Sequence, residues 1–157
     1  MQKIAPFLWF DGNAEEAVNF YVSVFKKDSK ILNISRYGDA GPGPTGTVMS
    51  ATFQLHGQEF IALNGGPQFK FTPAISFFVH CATQQEVDEL WEKLSAGGRK
   101  ERCGWLTDKY GLSWQVIPDL LGKMLNDPDR EKAKRVMNAM LQMDKIEVKK
   151  LEQAYGK

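Results

Sequence analysis

Apolar residues recur along the chain with periods that change from strand-like to helix-like and back. Ile4 to Phe10 is a β-rich apolar run closed by the turn dipeptide Asp11-Gly12, and it predicts a strand. Ala14, Ala17, Val18, Tyr21, Val24 and Phe25 follow at three- and four-residue spacings, so one helical face is available for burial against a sheet. Asn13 precedes Glu16 at the spacing of a capping box, in which a cap side chain and a third-position carboxylate satisfy each other's backbone N–H groups. The helix is expected to begin there. Ile31 to Tyr37 predicts a second strand, and Gly38 to Gly46, rich in Gly and Pro, a loop. Val48 to Leu55 and Glu59 to Leu63 flank His56-Gly57-Gln58 as a hairpin. The order is βαβββ.

A similar order then returns. Ala74 to His80 predicts a strand, and Thr83 with Glu86 repeats the capping-box spacing ahead of Val87, Leu90, Trp91 and Leu94 on one helical face. Gly97-Gly98 ends that helix. The two capped helices are offset by about 70 residues, an internal repeat that points to two modules. Lys100 to Asp108 and Leu112 to Ile117 predict strands around Tyr110-Gly111, and Pro118 ends the sheet region. Asp127-Pro128 opens a helix with Ala133, Val136, Met137, Met140 and Leu141 on one side. A further short helix holds Ile146, Val148, Leu151 and Tyr155, and these helices are expected to pack on the sheet or on a second subunit. The expectation is one α+β domain over residues 1–157, with module one at about 1–70, module two at about 71–118 and C-terminal helices at about 119–155.

Composition narrows the partners. A content of 43% hydrophobic and 25% charged residues in 157 is that of a globular domain. A formal net charge of +1 lacks the one-signed field that nucleic acid or an anionic membrane demands, so neither is an expected partner. MQKIAPFLWFDGNAEEAV does not read as a signal peptide, and no stretch approaches the roughly 18 apolar residues of a membrane span. Cys81 and Cys103 form neither a disulfide framework nor a zinc motif, so a cytoplasmic location is expected.

PFLWFDGNAEEAVNFYVSVF, ALNGG and CGWLTDKYGLSWQVIP, followed by the MLQM-containing helix, resemble the PhnB-like branch of the glyoxalase/bleomycin-resistance, or vicinal oxygen chelate, superfamily. The resemblance implies the glyoxalase-like fold of two βαβββ modules with a C-terminal helical extension. Members of this branch carry the label 3-demethylubiquinone-9 3-methyltransferase. Methyl transfer from S-adenosylmethionine commonly uses a Gly-rich turn between a strand and a helix. Here Asn64-Gly65-Gly66-Pro67 is followed by Pro73 and another strand, so no helix N-terminus is expected behind it.

In the wider superfamily each module supplies metal ligands from its first and last strands. Carried over by register, those positions read Pro6, Ile61 or Ala62, Ala74 or Ser76, and Gln115. One neutral amide is a poor basis for a Zn²⁺, Mn²⁺ or Fe²⁺ site, so no metal and no cofactor is expected. His56 reads as a hairpin-tip residue, Cys103 as a packed thiol and Asp108-Lys109 as a solvated turn. No nucleophile–base–orienter set stands out, and no catalytic residue is assigned. What remains is a concave face expected to take a small molecule, lined by Leu8, Phe10, Ser76, Phe78, His80, Ser113 and Gln115, with Trp105 and Asn64 near the rim. Those aromatics could equally fill the face as core. The expected function is a metal-free small-molecule binding or sequestering protein, as a homodimer. The alternatives are a vicinal-oxygen-chelate enzyme with unconventional ligands, or the methyltransferase of the label.

Overall fold

The computed structural model describes residues 2–156. Two compact units divide the chain, one ending at Lys70 and the other beginning at Phe71. In the first, β1 (Phe7–Phe10), α1 (Ala14–Phe25), β2 (Lys30–Arg36), β3 (Val48–Leu55) and β4 (Gln58–Asn64) form a sheet of order β1-β4-β3-β2 with α1 on one face. Strands β1 and β4 are parallel, and the other pairs are antiparallel. β3 alternates strictly enough to define the faces. Ala51, Phe53 and Leu55 are buried, and Tyr21 of α1 stacks on Phe53, which stacks in turn on Phe60. All six apolar residues read from the α1 periodicity are buried.

Two local expectations give way to longer-range contacts. The first strand begins at Phe7 rather than Ile4, whose side chain is exposed. Asn13 makes no side-chain cap; instead Asn64 Oδ1, at the end of β4, accepts from the Ala14 N–H at 2.9 Å. One orphan donor of the helix N-terminus is thus satisfied across the sheet. The β3–β4 hairpin turns through His56 (φ 47°) and Gly57 (φ 80°), the positive-φ pair that matches strand twist.

The second unit repeats the topology: β5 (Ser76–Cys81), α2 (Gln84–Ser95), β6 (Arg99–Lys100), β7 (Trp105–Thr107) and β8 (Ser113–Pro118), in the order β5-β8-β7-β6. Thr83 caps α2 as expected, accepting from the Glu86 N–H at 3.2 Å. The single strand expected over Lys100–Asp108 is two strands, broken at Cys103 (φ 58°) and Gly104 (φ 82°). The break has a packing cause. A Cβ on Gly104 would collide with Ile117 and crowd Ile146, while the Cys103 and Gly104 N–H groups donate to Met143 and Asp144 carbonyls. The strand bends to receive the C-terminal segment.

That segment holds α3 (Asp119–Leu125), which the periodicity did not predict, then α4 (Arg130–Met140) and α5 (Val148–Tyr155). Leu121, Met124, Val136, Met143, Ile146 and Leu151 close a core over Ile117 of β8, so the helices pack on their own unit's sheet. Of the α4 stripe, Met137 and Leu141 stay exposed. Among the described residues, no helix is long and apolar enough to cross a membrane.

Candidate functional site

Each sheet has one face under its helix; the other face is open in the first unit and, in the second, is open except at the Ile117 end of β8, where the C-terminal helices cover it, and the register decides which side chains reach it. In the second unit Ser76 pairs with Ser113, Phe78 with Gln115 and His80 with Ile117, while Trp105 pairs with Gln115 from the other side. Paired residues point to the same face. Ser76, Phe78, His80, Trp105, Ser113 and Gln115 therefore share one face, and Phe77, Cys81, Leu106, Trp114 and Val116 share the other with α2. The helix-side set forms the dry layer: Phe77 and Trp114 rings lie 5.4 Å apart, and Val87, Leu90, Trp91 and Leu94 of α2 are buried. Burial first, and then the Glu86 and Asp119 carboxylates, push the Cys81 thiol up to about 12.

The open set mixes aromatic surface with hydrogen-bonding groups. Gln115 Nε2 donates to Ser76 Oγ at 3.0 Å, which leaves the amide carbonyl as a group that can accept from a ligand. Phe78 is 48% exposed, unusual for a large apolar ring and so available as a platform. His80 lies beside it, ring centroids 4.8 Å apart, with Nδ1 3.1 Å from Asp119 Oδ1. Phe78, His80 and Asp119 line a cleft of about 500 Å³ that continues onto α3.

Leu8 and Phe10 belong elsewhere. Leu8 pairs with Ala62, which pairs with Ala51, and all three are buried on the α1 side. The open face of the first sheet instead carries Phe7, Trp9, Ile61 and Leu63. Asn64 also departs from a simple rim role: besides its bond to the Ala14 N–H, its Nδ2 donates to the Val48 carbonyl at 3.1 Å. The Tyr37 hydroxyl donates to the Asn64 carbonyl at 2.7 Å. Asn64 borders a cleft of about 680 Å³ between the start of α1 and the Gly- and Pro-rich loop, with Asp11, Glu15 and Arg36 on its walls.

The start of α1 therefore does lie against Asn64-Gly65-Gly66, although it precedes that cluster in the chain. The glycines serve the fold there. A Cβ on Gly65 would fall within the Trp9 indole, whose Nε1 donates to the Gly66 carbonyl at 2.9 Å. The turn is filled by this chain's own tryptophan and does not fit the close backbone approach of a nucleoside-bearing cofactor.

The superfamily's metal positions can be placed by the same register. Pro6 uses its carbonyl to accept from the Ile61 N–H, Ile61 faces the open side and Ala62 the buried one, and Ala74 lies before β5. The open-face candidates are thus an alkyl group in the first unit and the Ser76 hydroxyl and Gln115 amide in the second. Neither unit's donors fit a divalent transition metal. Among the described residues, no three His, Cys, Asp or Glu side chains come together as a possible metal group.

Asp108 overturns the reading of a solvated turn. It is 2% exposed, its Oδ1 accepts from the Tyr110 and Leu112 N–H groups, and its Oδ2 accepts from Trp114 Nε1 at 2.8 Å. The carboxylate locks the β7–β8 turn and so the strand that carries Ser113 and Gln115. Asp108-Lys109 and Tyr110-Gly111 mark a turn in the sequence; the indole donor six residues on leaves no such mark.

Comparison with known proteins agrees with this architecture. The 3-demethylubiquinone-9 3-methyltransferase family matches residues 2–117. The chain is 46% identical to a PhnB protein from Bacillus cereus, covering 74% of this chain and 99% of that one, with a TM-score of 0.68. Protein PA1353 from Pseudomonas aeruginosa shares the fold at 22% identity, covering 75% and 98% of the two chains, with a TM-score of 0.62. A variant of the fosfomycin resistance protein FosX from Listeria monocytogenes, solved with Mn(II) and 1S,2S-dihydroxypropylphosphonic acid, is 15% identical over 73% and 90% of the chains, with a TM-score of 0.50. None of the curated proteins matches.

Proposed function

Because the chain belongs to the 3-demethylubiquinone-9 3-methyltransferase family, a PhnB-like branch of the vicinal oxygen chelate superfamily, we propose that it binds a small molecule on the open face of β5, β8 and β7. The observation that carries this reading is the coupling of a hydrogen-bonded amide, Gln115 with Ser76, to the exposed ring of Phe78 on the adjacent strand. An aromatic platform supplies contact area, and an amide with one donor already committed orients what lies on it. The reading is metal-free, since the inherited ligand positions hold groups that bind transition metals poorly. FosX takes Mn(II) and a phosphonate on the same fold. A phosphonate therefore belongs among the probes here.

The test is a thermal-shift screen with three arms: small aromatic acids and phosphonates, divalent metals, and S-adenosylmethionine. Stabilisation by the first arm without metal is expected. Gln115→Leu keeps approximate bulk and removes both hydrogen-bonding functions, so affinity should fall by about fivefold to 150-fold, the cost of about 1–3 kcal/mol for an unmatched buried polar group. Folding stability should change little. Unaltered affinity in Gln115→Leu with a weakened fold would make Gln115 a structural residue. Elemental analysis of gently purified protein is expected to find no stoichiometric Zn, Mn, Fe or Ni; about one bound metal per chain would replace the metal-free reading with a metalloenzyme.

A further inference from the structure

We propose that the His80–Asp119 pair is a proton acceptor for an aromatic ligand with an acidic hydroxyl, bound in the cleft beside Phe78. The inference deepens the proposed function and rests on it, since it names the ligand class of the same open face. His80 ends the row of open-face residues on β5, and its Nδ1 lies 3.1 Å from Asp119 Oδ1. When Asp119 accepts from Nδ1–H, the tautomer is set and Nε2 is left as the acceptor. A surface contact between a His and an Asp carries little by itself. Here the pair lines a cleft of about 500 Å³ in which the Phe78 ring, 48% exposed, stands 4.8 Å from the imidazole. Lys123 of α3 lines the same cleft.

These groups specify a ligand. An aromatic ring lies on Phe78 and its hydroxyl donates to Nε2. The O–H bond breaks as the Nε2–H bond forms, giving an imidazolium held by Asp119 and an aryloxide beside the Lys123 ammonium. No oxidant, metal or second substrate is needed for the balance. The charged groups that line the cleft with His80 are Asp119 and Lys123 of α3; Glu86, at the start of α2, and Asp119 both act on Cys81 of β5.

4-Nitrophenol is a suitable probe, because its ionised form is read directly by absorbance. Wild-type protein should move the ionisation midpoint of the bound phenol toward acid by about one pH unit, equivalent to about tenfold tighter binding of the aryloxide. His80→Gln keeps a hydrogen-bonding side chain but cannot take up the proton, so it should lose the shift and with it the roughly tenfold tighter binding of the aryloxide. Asp119→Asn should diminish the shift. Absence of binding at millimolar probe, binding without a shift, or an undiminished shift in His80→Gln would each overturn the proposal. If Gln115→Leu weakens binding and wild type shows no shift, the binding face stands and the His80 role falls. If Gln115→Leu binds normally while the His80-dependent shift persists, the pair stands and the Gln115 reading falls.

Discussion

Replacing Asp108 by Asn tests how the open face is held, with almost no change in volume. The carboxylate receives three donors, at 2.8 and 3.0 Å from the Tyr110 and Leu112 backbone and at 2.8 Å from the Trp114 indole. An Asn oxygen can serve either the backbone pair or the indole, and its NH₂ then faces whichever donor remains. A buried donor without an acceptor costs about 1–3 kcal/mol, and the surviving bonds lose their charge assistance. Relief from burying a carboxylate returns part of that. The net expectation is destabilisation by about 2–3 kcal/mol, measured by urea denaturation followed through tryptophan fluorescence. Trp114→Phe removes the competing indole donor, so in that background the Asn penalty should shrink by about 1–2 kcal/mol, a coupling that a double-mutant cycle isolates. Because the turn sets Trp105 opposite Gln115, Asp108→Asn should also weaken ligand binding. A change within about 0.5 kcal/mol of wild type, or strict additivity with Trp114→Phe, would show that the turn does not depend on this carboxylate.

Other expectations follow from side chains outside the face. With the Cys81 thiol pushed up to about 12, a disulfide reagent should modify at most Cys103 in the native protein and both thiols after denaturation; fast reaction of two native thiols would contradict the burial. The Tyr155 hydroxyl donates to Asp127 Oδ2, a bond that lowers the carboxyl and raises the phenol. Its stabilisation is therefore present between the two ranges, lost as pH falls through the folded Asp127 value and lost again as pH rises through that of Tyr155. Phenolate absorbance should show Tyr155 ionising at lower pH in Asp127→Asn, and an unmoved titration would remove the bond as cause. A homodimer is expected, since Met137 on α4 and Leu141 at its C-cap remain 40% and 47% exposed. Light scattering at micromolar concentration should give twice the chain mass, and a clean monomer would count against it.

Legibility in the sequence followed the range of the interactions. The α1 and α2 faces were readable because helical burial repeats every three or four residues, and the Thr83 cap because its partner is three residues away. Asn13 makes no cap, and the Ala14 N–H finds its acceptor in Asn64, on a strand 50 residues further along, which no local pattern reveals. The break at Cys103-Gly104 was hidden for the same reason, being imposed by the Met143–Ile146 segment. β1 misled through composition. FLWF is apolar on both faces, so nothing in it says which side is open; the sign comes from β3, where Ser50, Thr52 and Gln54 alternate with Ala51, Phe53 and Leu55. β8 carries its own sign, Ser113 and Gln115 alternating with Trp114 and Val116, the pair that faces α2.

The two repeats can be compared strand for strand, because β1 and β5 hold the same edge place and β4 and β8 the same inner place in sheets of identical order. On the faces turned away from α1 and α2, Phe7 and Trp9 with Ile61 and Leu63 answer to Ser76, Phe78 and His80 with Ser113, Gln115 and Ile117, of which Ser113 and Ile117 are buried. The first set can offer contact area alone. Its one polar handle, the Trp9 indole N–H, is spent on the Gly66 carbonyl, and the ring is packed edge-on by Phe69. The second set holds a hydroxyl, an amide and an imidazole in neighbouring places. Hydrogen bonds that orient a ligand can therefore come from the strands of the second repeat, where Phe78 supplies the contact area. Phe78→Ala should then change affinity for hydrophobic analogues in proportion to apolar area, whereas Gln115 and His80 should decide which polar analogue is accepted. Equal discrimination between polar analogues after Gln115→Leu and after Phe78→Ala would remove this division of labour.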